Sequence, residues 1–160
     1  MTWSYPGVDI EGDGVTMESA SNASAFFNTY NGDQEYMYQM ITQTVQNKIL
    51  PDTTFKWIMP VGTAVQNMKS SYLTPHELYR DYTHLNDYAR LMAAYVWFCK
   101  LEGVPTDSFK LDYIPDALTN SYKEKGDIPL DAELFAILEE SVRNACATPF
   151  SVTQSQYTEN

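Results

Sequence analysis

From His84 to about Leu101 the chain carries Leu85, Tyr88, Ala89, Leu91, Met92, Ala93, Ala94, Tyr95, Val96, Trp97, Phe98 and Leu101, with Gly103 placed to stop a helix. Apolar side chains fall on nearly every side of the helix this predicts. It is therefore expected to be buried on more than one face, as the centre of a larger body. Such a helix needs neighbours to cover it. With 160 residues, 44% of them hydrophobic, the chain can supply one ordinary core. One globular unit over residues 1–150 is expected, followed by a polar tail over 151–160.

The candidate neighbours read in chain order. Asp33 can cap a helix beginning at Gln34, in which Met37, Ile41 and Val45 stack four apart and which fades near Lys48 before Pro51. Phe55-Lys56-Trp57-Ile58-Met59-Pro60 is short, aromatic and partly β-branched, and predicts a strand. Gly62 turns the chain into a helix that runs to about Lys69. Strand, glycine turn and helix in that order occur at the carboxyl edge of α/β sheets, where ligands bind. Thr74-Pro75-His76-Glu77 starts a short helix ending near Arg80, and Phe109–Tyr113 is a second extended piece. Asp131 caps a last helix lined by Leu134, Leu138, Val142 and Ala145, which ends before Pro149.

At the entrance to the buried helix stands Tyr79-Arg80-Asp81-Tyr82-Thr83-His84-Leu85-Asn86. Asp81 and His84 are three apart. Held together, they form a base and its orienter, in which the carboxylate fixes the tautomer of an imidazole that takes a proton from a nucleophile. The positive end of the helix would lower the His84 pKa while Asp81 would raise it. The plainer reading of the same residues makes Asp81 a cap and His84 a hydrogen-bonded residue of the first turn.

Charge and composition exclude several partners. A net charge of -11 opposes nucleic acid and anionic membrane surfaces, and no apolar run reaches the roughly 18 residues of a membrane span. The chain is expected to be soluble, with a periplasmic or secreted location one expectation for the full-length protein. Cys99 and Cys146 sit in apolar helical patterns and read as buried free thiols. No metal site is expected: His76 has Arg80 four residues on, and the acidic run Asp9–Asp13 has Ala20 where a calcium loop needs its bidentate Glu. No cofactor is expected either, since Gly62 stands without the other glycines of a phosphate fingerprint. Asn22-Ala23-Ser24 has the form of a glycosylation acceptor.

Asp81-Tyr82-Thr83-His84 resembles the Asp-x-x-His block that ends the catalytic domain of SGNH hydrolases, the GDSL-like esterases. Thr2-Trp3-Ser4-Tyr5, Tyr30-Asn31, Met37-Tyr38, Met59-Pro60-Val61-Gly62-Thr63-Ala64 and Tyr88-Ala89-Arg90 to Trp97 extend the resemblance, to an uncharacterised bacterial subfamily. It implies an α/β fold, part of a flavodoxin-like three-layer αβα sandwich made helix-rich by missing N-terminal strands. It also implies a serine acyl-enzyme mechanism with His84 as base and Asp81 as orienter, and a small ester or acetylated carbohydrate as substrate. Tyr79 and Tyr82 would line the pocket, and self-association would cover exposed edges. The Gly-Asp-Ser nucleophile block and the oxyanion blocks are absent, and Ser4, Ser19 and Ser70 do not stand in the required setting. The alternative is a catalytically inactive domain that acts by packing or protein interaction. It predicts a large exposed apolar face.

Overall fold

The computed structural model describes residues 33–73, 78, 85–114 and 130–158. Four helices carry this part of the molecule: α1 Gln34–Thr44, α2 Val61–Lys69, α3 Asp87–Glu102 and α4 Ala132–Ala147. A π-helical turn, Val45–Ile49, extends α1, and a 3-10 turn, Leu111–Tyr113, follows α3.

The helices start and stop where local chemistry says they should. Asp33 accepts from the Tyr36 amide at 2.9 Å and so satisfies one of the orphan donors of α1. Past Thr44 the bonding pattern widens, and the Leu50 amide donates to the Val45 carbonyl at 2.8 Å. Asp131 accepts from both Glu133 and Leu134 amides at 2.9 Å. Asn86 caps α3 through the Ala89 amide, also at 2.9 Å, and Gly103 ends it at φ 63, a left-handed conformation that glycine adopts without a Cβ penalty.

The core lies where α2, α3 and α4 meet. From α2 come Val61, Ala64, Val65 and Met68, and from α4 come Leu134, Ile137, Leu138, Val142 and Ala145. The long helix contributes Tyr88, Ala89, Met92, Tyr95, Val96 and Cys99. These six positions follow one another at helical spacing, so α3 buries a single face. Full burial of side chains of this size contributes about 1.5–3 kcal/mol each. The Tyr88 hydroxyl donates to the Leu134 carbonyl at 2.5 Å, joining α3 to α4. Phe109 then folds back over the core, its ring centroid 4.8 Å from Tyr95 and 6.1 Å from Phe135. Tyr95 donates its hydroxyl to the Thr106 carbonyl and anchors that return.

Three expectations are corrected. The α/β fold, a flavodoxin-like sandwich, gives way to a helix-rich bundle: no strand element occurs among the described residues. Phe55–Pro60 has strand composition, but no neighbouring strand meets it among those residues, and Phe55 and Trp57 stand more than half exposed. Strand preference is realised only on a pleated surface with partners. Phe109–Tyr113 instead closes a turn, with the Tyr113 amide on the Lys110 carbonyl at 3.0 Å. Finally, α3 is not enclosed on several faces. Trp97, Phe98 and Leu101 point outward. No helix among the described residues is long and apolar enough to cross a membrane.

Candidate functional site

The long helix begins at Asp87 behind its Asn86 cap, later than the His84 start expected from sequence. Asp81 and His84 lie outside the described residues, as do Tyr79, Tyr82, His76, Ser4, Ser19 and the acidic run Asp9–Asp13. On either side of the 79–84 stretch the chain is held, since the Asn86 amide donates to the carbonyl of fully buried Leu78 at 2.9 Å.

Ser70 has structural work. It donates to the Asn67 carbonyl at 2.7 Å and accepts from the Ser155 amide at 2.9 Å, which makes it an anchor for the last stretch of chain. The cysteines are both free and unsuited to nucleophilic attack. Burial pushes the Cys99 thiol up to about 11, with the Cys146 thiol adding to it. Burial also raises the Cys146 thiol, against a smaller opposing pull from Lys100. A thiol that keeps its proton is a weak nucleophile. Among the described residues no group of three or more His, Cys, Asp or Glu side chains could hold a metal.

Two surface features remain. The first is the outer stripe of α3, where Trp97 is 50%, Phe98 40% and Leu101 48% exposed. Positions 97, 98 and 101 share a helix face, and Tyr113, 65% exposed, continues the patch through Phe109, whose ring lies 6.2 Å from Phe98 and 6.3 Å from Tyr113. The second is a groove between α1, α2 and the chain after α4. Its apolar end is a small open pocket lined by Ile41, Val45, Ile58, Met59, Pro60 and Phe150, among others. Its polar end is broader, with Gln34, Gln39, Gln66, Lys69, Ser70 and Gln154 on its walls. Tyr38, Thr42, Gln66 and Phe150 border both ends.

The groove's far wall comes from residues 149–154, part of a closing stretch fastened by buried side chains that sequence reasoning passed over. Asn67, 1% exposed, accepts from the Thr153 amide at 2.8 Å and donates to the Ser141 carbonyl at 3.3 Å. The carboxylate of buried Glu140 accepts from the Ser155 hydroxyl at 2.5 Å and the Gln156 amide at 3.1 Å. Thr63 donates to the Pro149 carbonyl at 2.6 Å and is bonded in turn to the Tyr38 hydroxyl at 2.9 Å.

A helical domain with an apolar outer face and a lined groove is what these residues define. The chain belongs to the DUF4886 family, described as a domain of unknown function, which matches residues 15–125. A DUF4886 family protein from Bacteroides uniformis ATCC 8492, solved by crystallography, has this fold: the TM-score is 0.69 at 24% identity, over 99% of this chain and 50% of that one. The chain thus spans about half the length of that protein. No curated protein matches the sequence. The family match overturns the resemblance to SGNH hydrolases and bacterial GDSL-like esterases, and the helical bundle lacks, among the described residues, the sheet on which that chemistry is mounted. Serine ester hydrolysis falls with it. So do the small ester or acetylated carbohydrate substrate and the self-association over strand edges, because nothing among the described residues forms a triad, an oxyanion site or an open sheet edge.

Proposed function

We propose that this chain is a noncatalytic module that docks a partner protein on the outer stripe of α3. The observation that carries the reading is the run of Trp97, Phe98 and Leu101 along one helix face that stays 40–50% exposed and that no helix among the described residues covers, widened by Tyr113. Large aromatic side chains left in water cost the molecule solubility, and buried in an interface they are the residue types that supply most of its affinity. The partner that fits is an amphipathic helix laid along the stripe, with basic residues flanking its apolar face. A net charge of -11 repels a second copy of the chain and attracts a basic partner.

Isothermal titration with a synthetic helical peptide of leucine and lysine tests this directly. Binding is expected to weaken by about tenfold or more in the double variant Trp97→Gln, Leu101→Gln, and to weaken with added salt. The same variant is expected to keep its unfolding free energy from urea denaturation within about 0.5 kcal/mol of wild type, as exposed positions do. Equal affinity in both proteins would overturn the reading. Asp81 and His84 take no part in this docking. Hydrolysis of a p-nitrophenyl ester is therefore expected to proceed at the buffer rate in wild type, Asp81→Ala and His84→Ala alike, and a turnover removed by either substitution would count against a noncatalytic module.

A further inference from the structure

We infer that the groove between α1, α2 and the chain after α4 is a binding site for an amphipathic monocarboxylate, with Lys69 meeting the carboxylate and the pocket around Ile58 and Phe150 taking the hydrocarbon chain. This goes beyond docking on α3 and does not depend on it. The two helices run antiparallel along the groove, since residues from the second half of α1, such as Ile41, share the apolar pocket with Gly62 at the start of α2. Gln34 and Glu35, at the other end of α1, line the polar end with Lys69 and Ser70.

Gly62, Gln66 and Lys69 lie four and three residues apart on one face of α2, so a molecule along that face runs from apolar walls to an ammonium group over about 10 Å, the rise of those seven residues. Lys69 is the cation lining the groove among the described residues. It is partly buried, burial lowers its pKa, and no carboxylate among the described residues offsets that burial. A cation kept from water without a counter-charge is stabilised by an anion that brings one. Gln66 and Gln154 add amides able to bond carboxylate oxygens. The other charged group on these walls is Glu35, which is exposed and accepts from the Gln39 amide at 3.3 Å. The far carboxylate of a dicarboxylate would lie unpaired among the apolar walls, which selects a monoanion. The apolar end fits a flexible alkyl chain, because Ile41, Val45, Ile58, Met59 and Phe150 present methyls and a ring there.

Titration calorimetry of the full chain with octanoate, 1-octanol and suberate decides the matter. Octanoate is expected to bind in preference to both others. Lys69→Gln is expected to weaken octanoate by about tenfold while leaving octanol unchanged, the loss of one charge-assisted contact. Thr42→Trp, which fills the groove from the rim of α1, is expected to abolish both. Circular dichroism and urea midpoints of the two variants establish that they fold. Absence of octanoate binding would overturn the site. Binding insensitive to Thr42→Trp would place the ligand elsewhere and also overturn it, and an acid preference surviving Lys69→Gln would overturn the role of Lys69.

Discussion

Proton uptake at single buried residues sets how this molecule responds to alkali. The Cys99 thiol, ordinarily near 9.0, is pushed up to about 11, and the Tyr95 hydroxyl, ordinarily near 10.0, up to about 12, in each case by burial first. In the unfolded chain both groups ionise earlier. Between those values the unfolded state has shed a proton that the native state keeps, so unfolding becomes easier as pH rises. Stability is expected to be level below about pH 9 and to fall progressively from there toward pH 11. Urea midpoints in reducing buffer across that window measure the slope. Cys99→Ala removes one of the titrating groups and is expected to flatten the fall, whatever the substitution does to stability at neutral pH. A slope identical in the variant would mean that Cys99 titrates alike in both states. The apolar helical pattern reads Cys99 as a buried thiol, and Pro105, Thr106 and Phe109, returning over α3, complete the burial of Cys99 and Tyr95.

At the scale of elements, the caps at Asp33, Asp131 and Gly103 and the buried face of the last helix were legible, whereas the start and the faces of α3 were not. Asp33, Asp131 and Gly103 act as the sequence predicts because a cap is a contact between residues at most four apart. Gly103 makes the point testable. Its φ is 63, and a Cβ placed there meets nothing within 4 Å, so Gly103→Ala pays backbone strain alone. A loss of about 1 kcal/mol is expected from urea denaturation, against a few tenths for Gly103→Asn, since Asn tolerates the left-handed region. Equal losses would point to a side-chain clash instead. The strand expected at Phe55–Pro60 fails for the opposite reason: its partner would have to come from far away in the chain, and aromatic composition does not report whether one exists. The outer stripe of α3 was hidden in the same way. Trp97, Phe98 and Leu101 have the composition of core residues, so the helix read as enclosed, and only the placement of α2 and α4 decides which apolar side faces solvent.

For the molecule as a whole, the closing stretch of chain adds a second tie between α2 and α4, beside their direct packing in the core. Ser151 onward reads as a solvated tail because its serines, threonines and glutamines carry no apolar period. Its partners lie on other elements: Asn67 and Ser70 hold Thr153 and Ser155 from the α2 side, and Glu140 holds Ser155 and Gln156 from α4. Tyr72 adds a backbone bond to the Tyr157 carbonyl at 2.9 Å. Such a strap is held at two places by groups that give each other no direct bond, and this makes its cooperativity measurable. Asn67→Ala and Glu140→Ala are each expected to cost about 2 kcal/mol, as buried partners of backbone and hydroxyl groups are lost. If each fastening held its own residue independently, the double variant would lose the sum within about 0.5 kcal/mol. A strap that peels as one unit behaves otherwise, because the first substitution already releases the segment that the second would have released. The double variant is then expected to fall short of the sum by about 1 kcal/mol or more. Hydrogen exchange at the Thr153 and Gln156 amides separates the two cases residue by residue. In a cooperative strap, Glu140→Ala exposes the Thr153 amide, whose acceptor Asn67 has not been touched, and that is the exchange to follow.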